Sequence, residues 1–247
     1  MPRFKDQAIC IRLIDFSETS QIVALLTEQH GKVRGLAKGS KRMSPGSVAR
    51  FSGGIELLTG GQIVATTRPS TELAAITEWD LQQPNWHLHE DLAAQRLAMY
   101  GADVCNAMLA ELDPHPHMHA VLAEFLAKLA DRPQHAMALL MFQWHVLDDC
   151  GYRPQLDEDV VRGGPFRDSA SYRFDPLRGG ITVDSASAGS WGVRRQTVQL
   201  LRAVAEDSAQ DDPVSIERAN RLLCVYLRSI LDRQLPTMQH VLGAKAP

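Results

Sequence analysis

The sequence predicts an α+β multidomain chain. A small β-barrel occupies residues 1–80, and a helical domain over residues 81–247 carries an irregular insert at about 152–188. Three observations predict this: five short strand-like runs in the first part, a switch to helical spacing beyond Pro84, and loss of both periods between Tyr152 and Ala188. The 247 residues, 45% hydrophobic and 22% charged, suffice for two cores. No stretch nears the roughly 18 apolar residues of a membrane helix. The opening MPRFKDQAICIRL has no long apolar region or small-residue cleavage site, so a cytoplasmic chain is expected.

Ala8 to Ile14 is rich in β-branched residues, Gln21 to Leu26 is a second run, and Lys32 to Lys38 follows the turn at His30-Gly31. Ile55 to Leu58 and Ile63 to Thr67 flank Thr59-Gly60-Gly61-Gln62, which reads as a second hairpin. Such strands suggest a closed barrel. Alternation places Lys32, Arg34, Leu36 and Lys38 on one face of the third strand, with Val33, Gly35 and Ala37 on the other.

Leu92, Leu97, Tyr100, Val104 and Met108 form the stripe of a first long helix, and Val121, Leu122, Phe125, Leu126 and Leu129 that of a second. A third, starting near Arg132-Pro133, is apolar almost all round and should be buried. Within the insert, Ser171–Phe174 and Gly180–Val183 look strand-like. Helical spacing returns at Thr197, Leu200, Leu201 and Val204. Asp212-Pro213 then announces a last helix with Ile216, Ala219, Leu223, Tyr226 and Ile230 inward. Residues 243–247 read as a frayed tail.

The charge distribution is uneven. From Gln29 to Ile55 there are six basic residues, Lys32, Arg34, Lys38, Lys41, Arg42 and Arg50, and no acidic one, on a chain of formal net charge -3. A positive stripe on a net-acidic chain is the footprint of phosphate binding. The bland alternative is a solvated, aggregation-resistant strand edge. The tract AKGSKR favours the first, because Gly39 and Ser40 let backbone and hydroxyl approach a phosphate beside the charges. Phe4, Phe16 and Phe51 are the aromatics near enough to stack bases, and core positions suit them better. Phosphate-dominated, sequence-independent binding follows.

Other candidates are weaker. His115, His117 and His119 alternate around prolines and read as solvated loop histidines rather than a metal site. Asp157, Glu158 and Asp159 read as solvated turn residues. Cys10, Cys105, Cys150 and Cys224 stand singly and read as small buried hydrophobes. No G-x-S-x-G, G-K-[ST] loop, H-E-x-x-H or C-x-x-C occurs, so a non-enzymatic role without cofactor is expected. Arg194, Arg195, Arg202, Arg218, Arg221, Arg228 and Arg233 could extend a nucleic-acid track or receive an acidic peptide.

Leu26-Thr27, His30-Gly31-Lys32-Val33, Leu36-Ala37-Lys38-Gly39, Lys41-Arg42 and Ile55-Glu56-Leu57 together resemble the opening of the bacterial recombination mediator family RecO, and Cys150 to Asp157 resembles the segment leading into that family's insert. The resemblance implies an OB-fold barrel, a helical bundle and a zinc-finger-like insert. Where zinc-bearing members have two cysteine pairs, this chain has Asp159 with Arg162 and Val183 with Ala186, so the insert lacks the zinc cysteines and is expected to hold through Tyr172, Phe174, Ile181 and local hydrogen bonds. It also lacks a basic Lys-Ser-Arg-like stretch near the end, having Pro236-Thr237-Met238.

The function so implied is DNA repair and recombination. Such a chain binds single- and double-stranded DNA, anneals complementary strands and, with RecR, helps load RecA onto strands coated by single-stranded-DNA-binding protein (SSB). A nucleoid-associated place in the cytoplasm would follow. The alternative is an interaction adaptor whose helical bundle binds an acidic partner tail without touching DNA.

Overall fold

The computed structural model describes residues 3–67, 71–165, 169, 171–184 and 189–243. Its contacts divide the chain into two units, Met1–Arg132 and Pro133–Pro247.

The first unit is built on a closed barrel of β1 (Arg3–Ser17), β2 (Ser20–Thr27), β3 (Lys32–Ala37), β4 (Gly60–Thr66) and β5 (Ala74–Gln83), paired in the order β1-β2-β3-β5-β4. All pairings are antiparallel except β3 with β5. β1 pairs with β4 along its first half and with β2 along its second, with a register shift between Cys10 and Arg12. Such a shift bends a strand, which lets one long β1 serve both neighbours and close the barrel. Inside lie Ala8, Cys10, Val23, Leu25, Val33, Ala37, Phe51, Ile63, Ile76 and Trp79. The alternation expected in β3 holds: Val33, Gly35 and Ala37 are buried, while Arg34 and Lys38 are exposed.

The β2–β3 turn needs its glycine. Gly31 has φ +68°, and a Cβ there would sit 1.9 Å from the Asp113 carbonyl oxygen. The Thr27 hydroxyl fastens the turn, donating to the Gly31 carbonyl at 2.8 Å and accepting from the His30 N–H at 3.0 Å.

The expected hairpin at Thr59–Gln62 does not exist. Gly60, Gly61 and Gln62 lie within β4, and residues 55–58 form no strand. Gly61 serves close approach instead of a turn, since a Cβ would meet the Asp80 carbonyl oxygen at 2.2 Å. In the barrel, β5 and the short helix α1 (Pro45–Phe51) inside the basic stretch are not foreshadowed by any run of apolar spacing in the sequence.

After the barrel come a single turn, α2 (His87–Glu90), and the long helices α3 (Leu92–Met108) and α4 (Pro116–Lys128). Leu92, expected to face inward, is 59% exposed; α3 packs instead through Ala94, Ala98, Tyr100, Gly101, Ala102, Val104 and Cys105. Small residues let its backbone approach closely, a stripe that large-residue periodicity overlooks. The histidines expected in a loop span the start of α4: His115 stands at its N-cap position, His117 is exposed, and His119 is half-buried with its pKa pushed down by burial, which nearby Glu28 and Asp6 oppose.

The second unit contains α5 (His135–Asp149), a three-stranded sheet of β6 (Ser171–Asp175), β7 (Gly180–Thr182) and β8 (Trp191–Arg194), then α6 (Arg195–Ala205), α7 (Pro213–Leu231) and α8 (Gln239–Leu242). β6 is central, with β7 and β8 antiparallel on its flanks. α5 is buried almost all round, as its composition requires, and packs on α7. Two buried amides join them: Gln143 Nε2 donates to Asn220 Oδ1 at 2.8 Å, and Asn220 Nδ2 donates to the Ala136 carbonyl at 2.8 Å. Phe174 packs against Trp191 and edge-on against Tyr226, which seats the sheet on α7.

Asp159 corrects the expectation of a solvated turn. It is buried, and its carboxylate accepts from the Val161 and Arg162 N–H groups at 2.9 and 3.0 Å and from the Val183 N–H at 3.0 Å. One side chain thus joins the two places compared above with cysteine pairs. Ala186 lies outside the described residues. Burial pushes the Asp159 pKa up, but the N–H groups of Arg162, Val183 and Val161 and the Thr182 hydroxyl outweigh it and hold the carboxyl at about 2. Among the described residues no group of three His, Cys, Asp or Glu could hold a metal ion.

Candidate nucleic-acid interface

The six basic residues separate into two sets. Lys38, Arg42 and Arg50 line one groove of about 780 Å³, together with Leu36, Gly39, Ser47, Phe51 and residues 71–77. Among the described residues Glu72 is the one acidic residue lining it. All three cations are exposed, and neither Lys38 nor Arg42 has an ion-pair partner among the described residues. Arg50 donates from Nε to the Gly46 carbonyl at 3.1 Å, within its own helix, and lies 5.8 Å from the Phe51 ring centre.

The other three are tied to neighbours. Lys32 is 7% exposed, and its ammonium donates to the Asn106 carbonyl at 2.7 Å. That carbonyl belongs to the last turn of α3, where carbonyls lack helical partners and the helix dipole favours a cation. Burial pulls the Lys32 pKa below the usual lysine value, and Glu111 partly restores it. Arg34 pairs with Glu111 at 3.2 Å, and Lys41 with Asp15 at 3.1 Å. Alternation put Lys32 on the outer face correctly, but could not show that the α3–α4 connection covers that end.

The loop carrying Lys38, Lys41 and Arg42 is anchored from below. The Ser20 hydroxyl accepts from the Gly39 N–H at 3.1 Å, and the Thr19 carbonyl accepts from the Lys41 N–H at 3.2 Å. Buried Gln21 takes the Ser40 hydroxyl on Oε1 at 2.8 Å and bonds both N–H and carbonyl of Ile55. Ser40 is therefore fully buried and braces the loop, in contrast to the phosphate contact expected of it. Gly39, at φ +75°, makes the turn that brings Lys38 and Arg42 to one side.

The aromatics also divide. Phe51 is in the core, and Phe4 is half-buried and stacked on His30 with ring centres 4.0 Å apart. Phe16, expected inside, is 61% exposed near the β1–β2 turn. Cysteines 10, 105 and 224 are buried and Cys150 is half-buried, and none of the four forms a disulfide among the described residues.

In the second unit, Trp191, Val193, Val214, Leu222 and Val225 line a depression of about 500 Å³ with Arg194, Arg218 and Arg221 among its polar residues, against one carboxylate among the described residues, Glu217. The buried Thr197 hydroxyl, also in this lining, has no hydrogen-bond partner among the described residues. β8, which contributes Trp191 to Arg194, is not foreshadowed in the sequence. Its single aromatic and single valine gave too short a pattern to find it.

An OB-like barrel with a cationic groove, followed by a helical unit, defines the class of protein. The family model described as Recombination protein O N terminal matches residues 1–85, and Recombination protein O C terminal matches residues 89–239. The chain belongs to the RecO family. It is 28% identical over 242 residues to a DNA repair protein RecO of Anaeromyxobacter sp. (strain Fw109-5), covering 94% of this chain and 93% of that one. It is 28% identical over 248 residues to the DNA repair protein RecO of Myxococcus xanthus (strain DK1622), covering 96% of each. With the Halorhodospira halophila (strain DSM 244 / SL1) DNA repair protein RecO it shares 29% over 225 residues, 89% of this chain and 88% of that one. Family membership supports a role in DNA repair and recombination.

Proposed function

We propose that the chain is a non-enzymatic recombination mediator of the cytoplasm and nucleoid, which binds single- and double-stranded DNA through the groove of Lys38, Arg42 and Arg50 and anneals complementary strands. One observation carries this reading: three exposed cations share a groove on the OB-like barrel of a RecO-family chain. Annealing requires that two polyanions be neutralised together without a tight hold on their bases. A cationic groove whose aromatic lining residue, Phe51, is in the core has that character. Arg34 and Lys41 add charge nearby, since exposed ion pairs exchange readily for phosphate. Lys32 supports the site by fastening β3 to α3.

Fluorescence anisotropy with a labelled single-stranded oligonucleotide tests the assignment. The Lys38→Ala/Arg42→Ala/Arg50→Ala variant should lose about 2 from the slope of log affinity against log salt. An unchanged slope refutes the groove.

In the same reading the chain works with RecR to load RecA onto strands coated by SSB. The second-unit depression supports the SSB contact, because an apolar floor rimmed by arginines suits an acidic tail ending in an aromatic residue. It equally favours the alternative, an adaptor that binds such a tail and not DNA. Arg218→Glu/Arg221→Glu separates the two: under the mediator reading it abolishes capture of an acidic tail peptide and spares DNA binding. Tail capture by a wild-type chain that binds no DNA establishes the adaptor.

A further inference from the structure

The outer face of β1, β2 and β3 has a covered end and an open end. At the covered end Ile9, Leu26 and Lys32 are buried, and α3 and α4 pack on β1 and β2. At the open end two cross-strand rows lie side by side. Arg12 pairs in register with Ala24 and Ala24 with Arg34; two residues on, Ile14 pairs with Ile22 and Ile22 with Leu36. The outward rows of a half-solvated sheet are ordinarily polar, yet this second row is wholly aliphatic. Ile14 is 47% exposed, and Ile22 and Leu36 are half-buried.

The row has cations on both sides. Leu36 lines the groove of Lys38, Arg42 and Arg50. Ile14 and Ile22 line a depression of about 330 Å³ whose charged members are Arg12, Lys32, Arg34 and Glu111. Arg12 is exposed and has no ion-pair partner among the described residues, while Glu111 is occupied by Arg34. Adjacent rows on one face are about 7 Å apart in strand geometry, and Lys38 follows directly on the end of β3, so the cations on the two sides are within reach of a few nucleotides. Cations at both edges and an apolar strip between them match a polyanion with flat apolar faces. Duplex DNA hides those faces; a single strand presents them.

We infer that the Ile14–Ile22–Leu36 row seats the bases of a single strand whose phosphates are held by Arg12 and Arg34 on one side and by Lys38, Arg42 and Arg50 on the other. This rests on the DNA-binding reading above and deepens it, because it gives the barrel a basis for preferring single strands although no aromatic lies in the row.

The test compares three ligands by anisotropy: a thymidine oligonucleotide, an abasic oligonucleotide of equal length, and a duplex. Wild type should bind the thymidine strand more tightly than the abasic one. Ile14→Thr/Ile22→Thr/Leu36→Thr, which keeps strand preference in two of three positions by retaining the β-branch and adds it at the third, should lose roughly fivefold or more on the thymidine strand alone. Arg12→Ala should lower the salt slope for both single strands by about 0.7. If the triple variant fails to fold, Ile14→Thr, at an exposed position, gives the same reading with a smaller loss. Equal wild-type binding of thymidine and abasic strands, or full thymidine binding by the threonine variants, overturns the inference. The alanine variant of Lys38, Arg42 and Arg50 is run alongside. If it alone loses DNA, only the base seat fails; if it binds all three ligands normally, the groove reading itself fails.

Discussion

Asp159→Asn tests whether one carboxylate fastens the insert. The substitution keeps size and shape but puts an amide where three N–H groups converge, from Val161, Arg162 and Val183. Folding lowers the carboxyl from 3.8 to about 2, which at about 1.4 kcal/mol per pH unit corresponds to about 2 kcal/mol of stabilisation. The pKa is depressed in the folded state, so this contribution is complete above about pH 4 and is lost as pH falls through 2. At pH 7 the variant should open locally about thirtyfold more often. Hydrogen exchange should report this at the Val161, Arg162 and Val183 amides, while amides of the barrel stay at wild-type rates. The gap between variant and wild type should be constant from pH 7 to 5 and should close below about pH 4. Wild-type exchange at those three amides in the variant would refute the argument, and so would a gap that widens on acidification.

Further outcomes follow from the same physical reasoning. Lys32→Met should destabilise the first unit by about 1 kcal/mol in denaturant unfolding, since it leaves the half-buried Asn106 carbonyl without its donor, and should leave the DNA salt slope less changed than Lys38→Ala does. Gly31→Ala should impair folding severely, judged by soluble yield and circular dichroism, because a positive φ and a 1.9 Å approach to Asp113 coincide. Cys10, fully buried with its thiol pushed up to about 12, should resist thiol reagents at pH 8 until denaturant is added.

How much could be read along the chain depended on where each signal resided. β1 to β3, α4, α5 and α7 carry apolar periods long enough to reveal themselves, and the Asp212-Pro213 start of α7 appears where a capping residue and proline predict it. The charge stripe was equally visible, because charge counting needs no fold. Elements with a mixed pattern leave no such mark. β5 alternates poorly, with two exposed residues beside each other at Thr77 and Glu78. The Thr59–Gln62 tract imitated a hairpin because glycine's conformational freedom and its lack of a side chain leave the same mark in a sequence. Asp159 has the look of a solvated turn residue in the sequence because its partners include Val183, far along the chain.

The residue order alone therefore determined that a barrel precedes helices, that the barrel has one basic strand with its outer face identifiable, and that the family is RecO. These depend on short-range periodicity, local charge and motif, all of which survive without knowledge of distant contacts. Tertiary structure decided which cations are available. Six positions equivalent in a charge count became an open groove at Lys38, Arg42 and Arg50, a buried helix fastening at Lys32, and two ion pairs at Arg34 and Lys41. It also aligned Ile14, Ile22 and Leu36, which three strands contribute separately. The physical reason is common to both: desolvation and pairing depend on neighbours brought together through space, and no spacing along one strand encodes what the next will place beside it.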